Sequence, residues 1–506
     1  MSTTIARGMT RWPPRRPIIR TRRQHDARFV LGAPSRGLVH ACARRGLPRR
    51  RVPLKEAPTM SRTSRDSQAS TTTWVRWLRI MPVVFLLYTI AYFDRVNIGM
   101  ALPSLSKDLG LSPSQSGLAA GVFFWGYLIS FLAAGFLAPR LGAKRLIFWS
   151  LLGWGLFAML SGLARTFEQL AAMRFMLGLC EGPVWTSLSL LLSQWFLRAE
   201  RGRAFGLWNL SLPFGALLSG PISGVVLTYT NWHVMLMLEG LPAWVWAAVW
   251  WRAIPRGIAQ ASWLAPEDRD YLEKRLASEQ AEFASVRASS DWRGMFRQPA
   301  VWLLLVAFSL INMVNYGFTL WLPSALKAIS TADIGHIGLL SALPYLASIA
   351  GIVCVSWSSD RFRERRFHAG LPLLCVGVLL YLGSRAGAHS VTVEVAAFTL
   401  IGFFMFMTLP LISALTTDIL PQEWAIPAIA FTGGIGNLFG GFVGPVMVGR
   451  LEEIGGSFSL AFAVLGVLGI VGGLSILAVR RSPAAHRAQP DAGPSPASSA
   501  QRQAGG

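Results

Sequence analysis

LYTIAYFDRVNIGMALP, residues 87–103, lies within an apolar run that begins near Leu78, yet it sets Asp94 and Arg95 side by side with Asn97 just after. A membrane-spanning helix needs about 20 mostly apolar residues, because the hydrocarbon core is about 30 Å thick. A charge near the centre of such a helix costs roughly 2.5–3.5 kcal/mol on insertion scales. The Asp94–Arg95 pair therefore faces protein or a wet cavity rather than lipid. Two roles fit it: an ion pair that staples helices together, or a site for a solute and its coupling ion. The rest of the chain favours the second.

The 506 residues are 52% hydrophobic and only 14% charged, against about 25% charged in soluble domains. Their mean hydropathy is +0.43. These values indicate an integral membrane protein. The net charge of +23 would suggest nucleic acid in a soluble chain, but residues 1–59 hold 15 Lys and Arg against Asp26 and Glu56, more than half of the excess. Most of the remainder sits in short loops, where it reports orientation, so no nucleic-acid partner is expected. Cys42, Cys180, Cys354 and Cys375 are scattered and give neither a disulfide framework nor a metal-ligand spacing.

Residues 1–72 are rich in Arg, Pro and Ser and lack periodicity; they read as a basic disordered tail, a transit-like presequence, or an extension from a start set too early, with Met60 the favoured true start. From Leu78 the chain reads as twelve spans, near 78–100, 116–138, 144–163, 168–193, 203–228, 233–253, 300–322, 335–357, 369–386, 392–416, 425–448 and 459–479. The expected class is all-α, a polytopic membrane protein of twelve helices in two six-helix bundles, at 73–253 and 300–480. A charged linker, 254–299, separates them, and its stretch from Pro266 has the signature of a surface helix. Residues 481–506 form a low-complexity tail. Arg140, Lys144 and Arg145, then Arg198, Arg201 and Arg203, Arg252 and Arg256, and Arg361 to Arg366 follow the even-numbered spans. The positive-inside rule then predicts that both termini are cytoplasmic in a bacterial inner membrane.

With the stretch GFLAPRLGAKR between spans two and three, the chain resembles the major facilitator superfamily, whose loop motif it keeps at Gly135, Arg140, Gly142, Lys144 and Arg145. Pro139 stands where that family has an acid, which removes the usual charge lock there, while Asp360–Arg361 keeps the acid in the second half. YFDRVNIGMALPSLSKDLGLS and, in span four, RFMLGLCEGPVWTSL resemble the anion:cation symporter family more specifically. GVFFWGYL in span two is similar to its tartrate and hydroxyphenylacetate branches. The resemblance extends to phthalate and galactonate transporters and covers residues 78–480. It implies a major facilitator fold and secondary active import of a small organic anion, such as a sugar acid, a hydroxy-dicarboxylate or an aromatic acid.

Arg174 and Glu181 are two helical turns apart and share a face, so they can meet Asp94 and Arg95 in the first bundle. Two cations and two anions balance there, and an incoming anion leaves surplus negative charge that favours proton uptake. Arg95 is then expected to grip the substrate carboxylate, and the resemblance assigns proton coupling to Asp94 and Glu181. Arg174 reads as a structural charge partner of Glu181 or Asp94. Tyr92 and Tyr127 match cavity-lining positions of the family, with interfacial packing as the alternative. Asn209 and Asn437 are either helix-to-helix hydrogen bonds or substrate contacts. Asn312, Asn315 and Tyr316 share a face of span seven, and Tyr316 is the substrate candidate among them. The tryptophans read mostly as interfacial anchors.

The expected partners are the organic anion, protons in preference to sodium, and the lipid bilayer, with a monomeric assembly and neither cofactor nor metal. A drug or metabolite exporter and a non-transporting solute sensor are the alternatives. No His–Asp dyad, serine elbow or phosphate-binding glycine loop suggests an enzyme.

Overall fold

The computed structural model describes residues 62–288, 292–385 and 390–479. Residues 1–61 and 480–506, which hold most of the basic extension, Met60 and the carboxy-terminal tail, lie outside them. The first helix starts at Arg62, so residues 62–72 of the expected extension are helical.

The described residues form helices and contain no strand. Twelve segments are long and apolar enough to cross a membrane. They are Trp74–Leu109, Pro113–Leu141, Ala143–Ser161, Phe167–Trp195, Arg198–Tyr229, Trp232–Ala253, Pro299–Ile329, Ile334–Phe362, Arg366–Arg385, Val391–Ile419, Pro427–Gly455 and Phe458–Ala478, hereafter the first to twelfth spans. Only helices satisfy every backbone group within one segment, as a hydrocarbon environment demands. The second, fourth, sixth and eighth spans each begin with a side-chain cap: Ser112, Thr166, Asn231 and Asp333 accept from the amide three residues on. Between the sixth and seventh spans lies the linker helix Pro266–Ala288, where the charge pattern predicts one. It is anchored by buried Leu272 and Leu276 and by Glu279, which accepts from Arg201 at 3.1 Å and from the Arg198 amide.

Several spans are interrupted near their middles. The fourth divides at Gly182 and the fifth near Leu210. Pro183 and Pro213 follow, and each lacks the N–H that would bond the carbonyl four residues earlier. The first span breaks at Asn97, directly after the Asp94–Arg95 pair, and the eleventh contains a π-helical turn, Phe439–Val443, amid glycines. Discontinuous helices of this kind put polar backbone and side chains at membrane depth, where a site can use them.

The two six-helix halves meet most closely at the end that carries the 110–112 and 330–333 connections. There the fifth and eighth spans touch backbone to backbone: a Cβ on Gly338 would stand 2.3 Å from the Gly220 oxygen. Gly449 presses on Pro113, and Gly99 on Leu320, in the same way. At the opposite end the ion pairs stay within a half or tie it to the linker: Arg76–Glu200 at 2.5 Å, Arg201–Glu279 at 3.1 Å and Arg365–Asp418 at 3.4 Å.

The tryptophans correct one expectation. Trp74, Trp149 and Trp357 are exposed as interfacial anchors should be, but Trp154, Trp195, Trp208 and Trp250 are fully buried. An indole fills a large core volume, and a buried indole usually finds an acceptor for its N–H. Trp250 donates to the Lys144 carbonyl at 3.1 Å, and Trp154 to Asp94.

Candidate functional site

The side chain of Arg95 stands where the halves meet. One guanidinium nitrogen, Nη2, pairs with Glu181 Oε1 of the fourth span, and Nη1 donates to Tyr316 Oη of the seventh at 3.0 Å. Rings enclose the cation: Tyr127, Phe123 and Tyr92 lie 4.9, 5.4 and 5.7 Å from its centre. Tyr92 Oη in turn donates to Asn315 Oδ1 at 3.4 Å, a second bridge between the first and seventh spans. Arg95 and Glu181 are buried at 3% and 1% exposure, yet Arg95 Nε and Glu181 Oε2 have no protein partner. Each side of the pair thus keeps an unused hydrogen-bonding position.

Five predicted residues, Tyr92, Arg95, Tyr127, Glu181 and Tyr316, therefore converge in one layer. The expected four-charge cluster is looser than its spacing suggested. Neighbouring residues on a helix project about 100° apart, so Asp94 leaves the Arg95 layer and turns toward the third and sixth spans. It accepts there from Trp154 Nε1 and from Asn97 Nδ2 at 3.2 Å. Arg174 does face the first span, but it donates to the Arg95 carbonyl at 3.4 Å and lies over Phe123 at 5.4 Å. Among the described residues neither Asp94 nor Arg174 forms a direct ion pair.

Two predicted amides make no contact with the Arg95 layer among the described residues. Asn209 is half-buried and donates to the Phe205 carbonyl of its own helix at 2.8 Å, which satisfies an amide at membrane depth without any solute or second helix. Asn437 is half-buried and has no hydrogen bond among the described residues. The glycines beside it carry that face of the eleventh span, Gly436 against Phe308 and Gly440 against Asn312.

The loop motif has its own local logic. Gly142 ends the second span at φ 85°, a conformation that favours glycine, while Gly135 and Arg140 are exposed. Lys144 Nζ lies 4.8 Å from the Trp251 ring, and its carbonyl receives the Trp250 N–H, so this turn clamps the third span to the end of the sixth. Lys144 and Arg145 also line a cavity of about 180 Å³ with Gln194 and Arg256, away from the Arg95 layer. In the second half Asp360 is exposed, and the ion pair formed is Arg365–Asp418.

Glu239 of the sixth span escaped the sequence reading. It is 4% exposed and accepts from Asn97 Nδ2 at 2.9 Å and from Ser223 Oγ at 2.7 Å. The signal that marks Asp94, an acid inside an apolar run, marks it equally in MLMLEGLPAWVW. His233, His336 and His368 each meet one carboxylate, Asp108, Asp333 and Glu364 respectively. Among the described residues no group of three or more His, Cys, Asp or Glu side chains is placed to hold a metal ion.

Comparison with known proteins agrees with this architecture. The family model described as Major Facilitator Superfamily matches residues 84–330 and 325–504. A putative tartrate transporter of Agrobacterium vitis is 31% identical over 415 residues, 80% of this chain and 91% of the relative. A quinolone resistance transporter of Acinetobacter baumannii is 28% identical over 400 residues, 78% of this chain and 91% of its own. Among solved structures, a D-xylose-proton symporter superposes with a TM-score of 0.63 at 16% identity, over 80% of this chain and 98% of that one. At that identity the likeness concerns the fold.

Proposed function

The chain belongs to the Major Facilitator Superfamily, a family of multi-pass membrane transporters, and from that premise we propose that it imports a small organic anion together with protons by alternating access. The carrying observation is Arg95: a buried guanidinium at the seam of the halves, shared between Glu181 of one and Tyr316 of the other, with an unused Nε. A carboxylate matches the planar fork of a guanidinium bidentately. An entering anion takes over positions that Glu181 and Tyr316 occupy, and the released Glu181 carboxylate gains a proton because its cation is now shared.

In this reading the halves 73–253 and 300–480 rock about Arg95 while residues 254–299 keep them connected. The basic turns after the even-numbered spans favour cytoplasmic termini in a bacterial inner membrane. The glycine seam then closes the outer side, and the solute enters when that seam parts. The name of the Agrobacterium vitis relative makes tartrate the first probe.

The test is uptake of labelled tartrate, with glucuronate and galactonate beside it, into proteoliposomes with and without an imposed inward proton gradient. Accumulation above equilibrium that needs the gradient is the expected result. Binding without flux refutes transport, and flux that ignores the gradient refutes proton coupling. The quinolone resistance relative supports one rival, an exporter of larger drugs. That rival predicts lowered quinolone susceptibility in cells producing this protein and no gradient-driven uptake of organic acids.

A further inference from the structure

Behind the Arg95 layer the first half holds a second group of buried polar side chains. Asn97 Nδ2 donates at once to Asp94 Oδ1 at 3.2 Å and to Glu239 Oε2 at 2.9 Å. Ser223 Oγ closes the far side of Glu239 at 2.7 Å, and the Trp154 indole closes the far side of Asp94. Asp94, Asn97 and Glu239 are 1%, 1% and 4% exposed, and Ser223 is fully buried.

No cation touches either carboxyl. The groups that face them are the Trp154 indole from the third span, Ser223 from the fifth and Asn97 from the first. The fourth span contributes Arg174 and Glu181 beyond Asp94, both engaged with Arg95. Arg76, also buried in this half, is paired with Glu200; the rest of its buried charge is three acids, Asp94, Glu181 and Glu239, against two bases, Arg95 and Arg174. One negative charge is in excess, and a buried carboxylate with no cation against it takes a proton rather than remain ionised.

Asn97 supplies an independent sign. Its Oδ1 is buried and has no partner. The oxygen and nitrogen of an amide are interchangeable in assignment. In one orientation the oxygen is stranded. In the other it faces two carboxyl oxygens and can bond only to a carboxyl that carries a hydrogen.

We propose that Glu239 and Asp94, joined through the Asn97 amide, form a second proton site that holds one shared proton in the resting protein, separate from the Arg95–Glu181 pair. It rests on the proton-coupled reading above. The proton is taken from water on the outer side as an O–H bond forms, and that bond breaks as the proton passes to water on the inner side. Glu181 answers the bound anion, whereas the Glu239–Asp94 pair sets how many protons travel with it.

Infrared difference spectra of the full-length protein in liposomes, in water and in deuterium oxide, test the resting proton without any solute. At neutral pH a carboxylic acid C=O band that shifts on deuteration is expected in the unaltered protein and in Glu181→Gln. Its loss is expected in Glu239→Gln, with recovery in Glu239→Asp. Thermal melting of each variant separates these results from misfolding. In tartrate uptake, Glu239→Gln is expected to lower gradient-driven accumulation roughly tenfold, with Glu239→Asp restoring it. No band at neutral pH, a band that survives Glu239→Gln, or unchanged accumulation in a folded Glu239→Gln protein overturns the proposal. If the unaltered protein shows the band but a proton gradient drives no uptake, the symport reading fails and the shared proton stands.

Discussion

The amino-terminal half buries charge, and the carboxy-terminal half buries amides and hydroxyls. Among the described residues, Asp94, Arg95, Arg174, Glu181 and Glu239 all lie before the linker, whereas the interior of the second half offers Asn312, Asn315, Thr319, Thr408, Thr416 and Thr432. Both halves have six spans and similar helix lengths, so the difference lies in chemistry rather than architecture. A buried charge is costly and responds to the arrival of another charge; a buried hydroxyl is cheaper and responds to shape and hydrogen-bond direction. The division suits a machine in which one half senses charge and the other tests the solute.

Substitutions can break or sharpen that contrast. Glu181→Gln should have the largest effect, because it strands a buried Arg95: about 3–5 kcal/mol of stability is expected to be lost, read as a fall in melting temperature. Arg95→Lys keeps the charge and loses the fork, and is expected to lower kcat/KM for tartrate roughly 100-fold in proteoliposomes; normal transport would remove Arg95 as the carboxylate clamp. Gly338→Val inserts a side chain into the seam with Gly220 and should disfavour closure of that end by about 1–3 kcal/mol, read as raised accessibility of a cysteine probe placed there. Tyr316→Phe removes the second half's hydrogen bond to Arg95; about tenfold weaker tartrate affinity with little change in melting is expected. Asn437→Ala should change uptake least, with stability within about 0.5 kcal/mol, and a large loss of uptake would make Asn437 a substrate contact.

The twelve spans were legible because bilayer thickness fixes the length of an apolar run, and Asp94, Arg95, Arg174 and Glu181 were legible because charge there is expensive. Their partners were less so. Adjacent residues diverge around a helix, and sequence alone does not say which neighbour each will face; hence Asp94 went to Trp154 instead of an arginine. Asn209 was legible only as a polar group at depth, since sequence does not reveal that an amide can donate to its own helix four residues back, as Asn312 also does. Glu239 carried the same signal as Asp94 but had no neighbouring charge to draw attention to it.

The contact between Gly220 and Gly338 is made of main-chain atoms and carries no ionisable group. Its tightness is therefore a matter of steric fit and stays the same in dilute buffer, in brine, in acid or in alkali. Any sensitivity of the transport cycle to ionic conditions that traces to the membrane interior must then originate in the charged layers beneath that seam. A thicker or thinner lipid bilayer, by contrast, would tilt the helices that carry these glycines and reach the seam through mechanics alone.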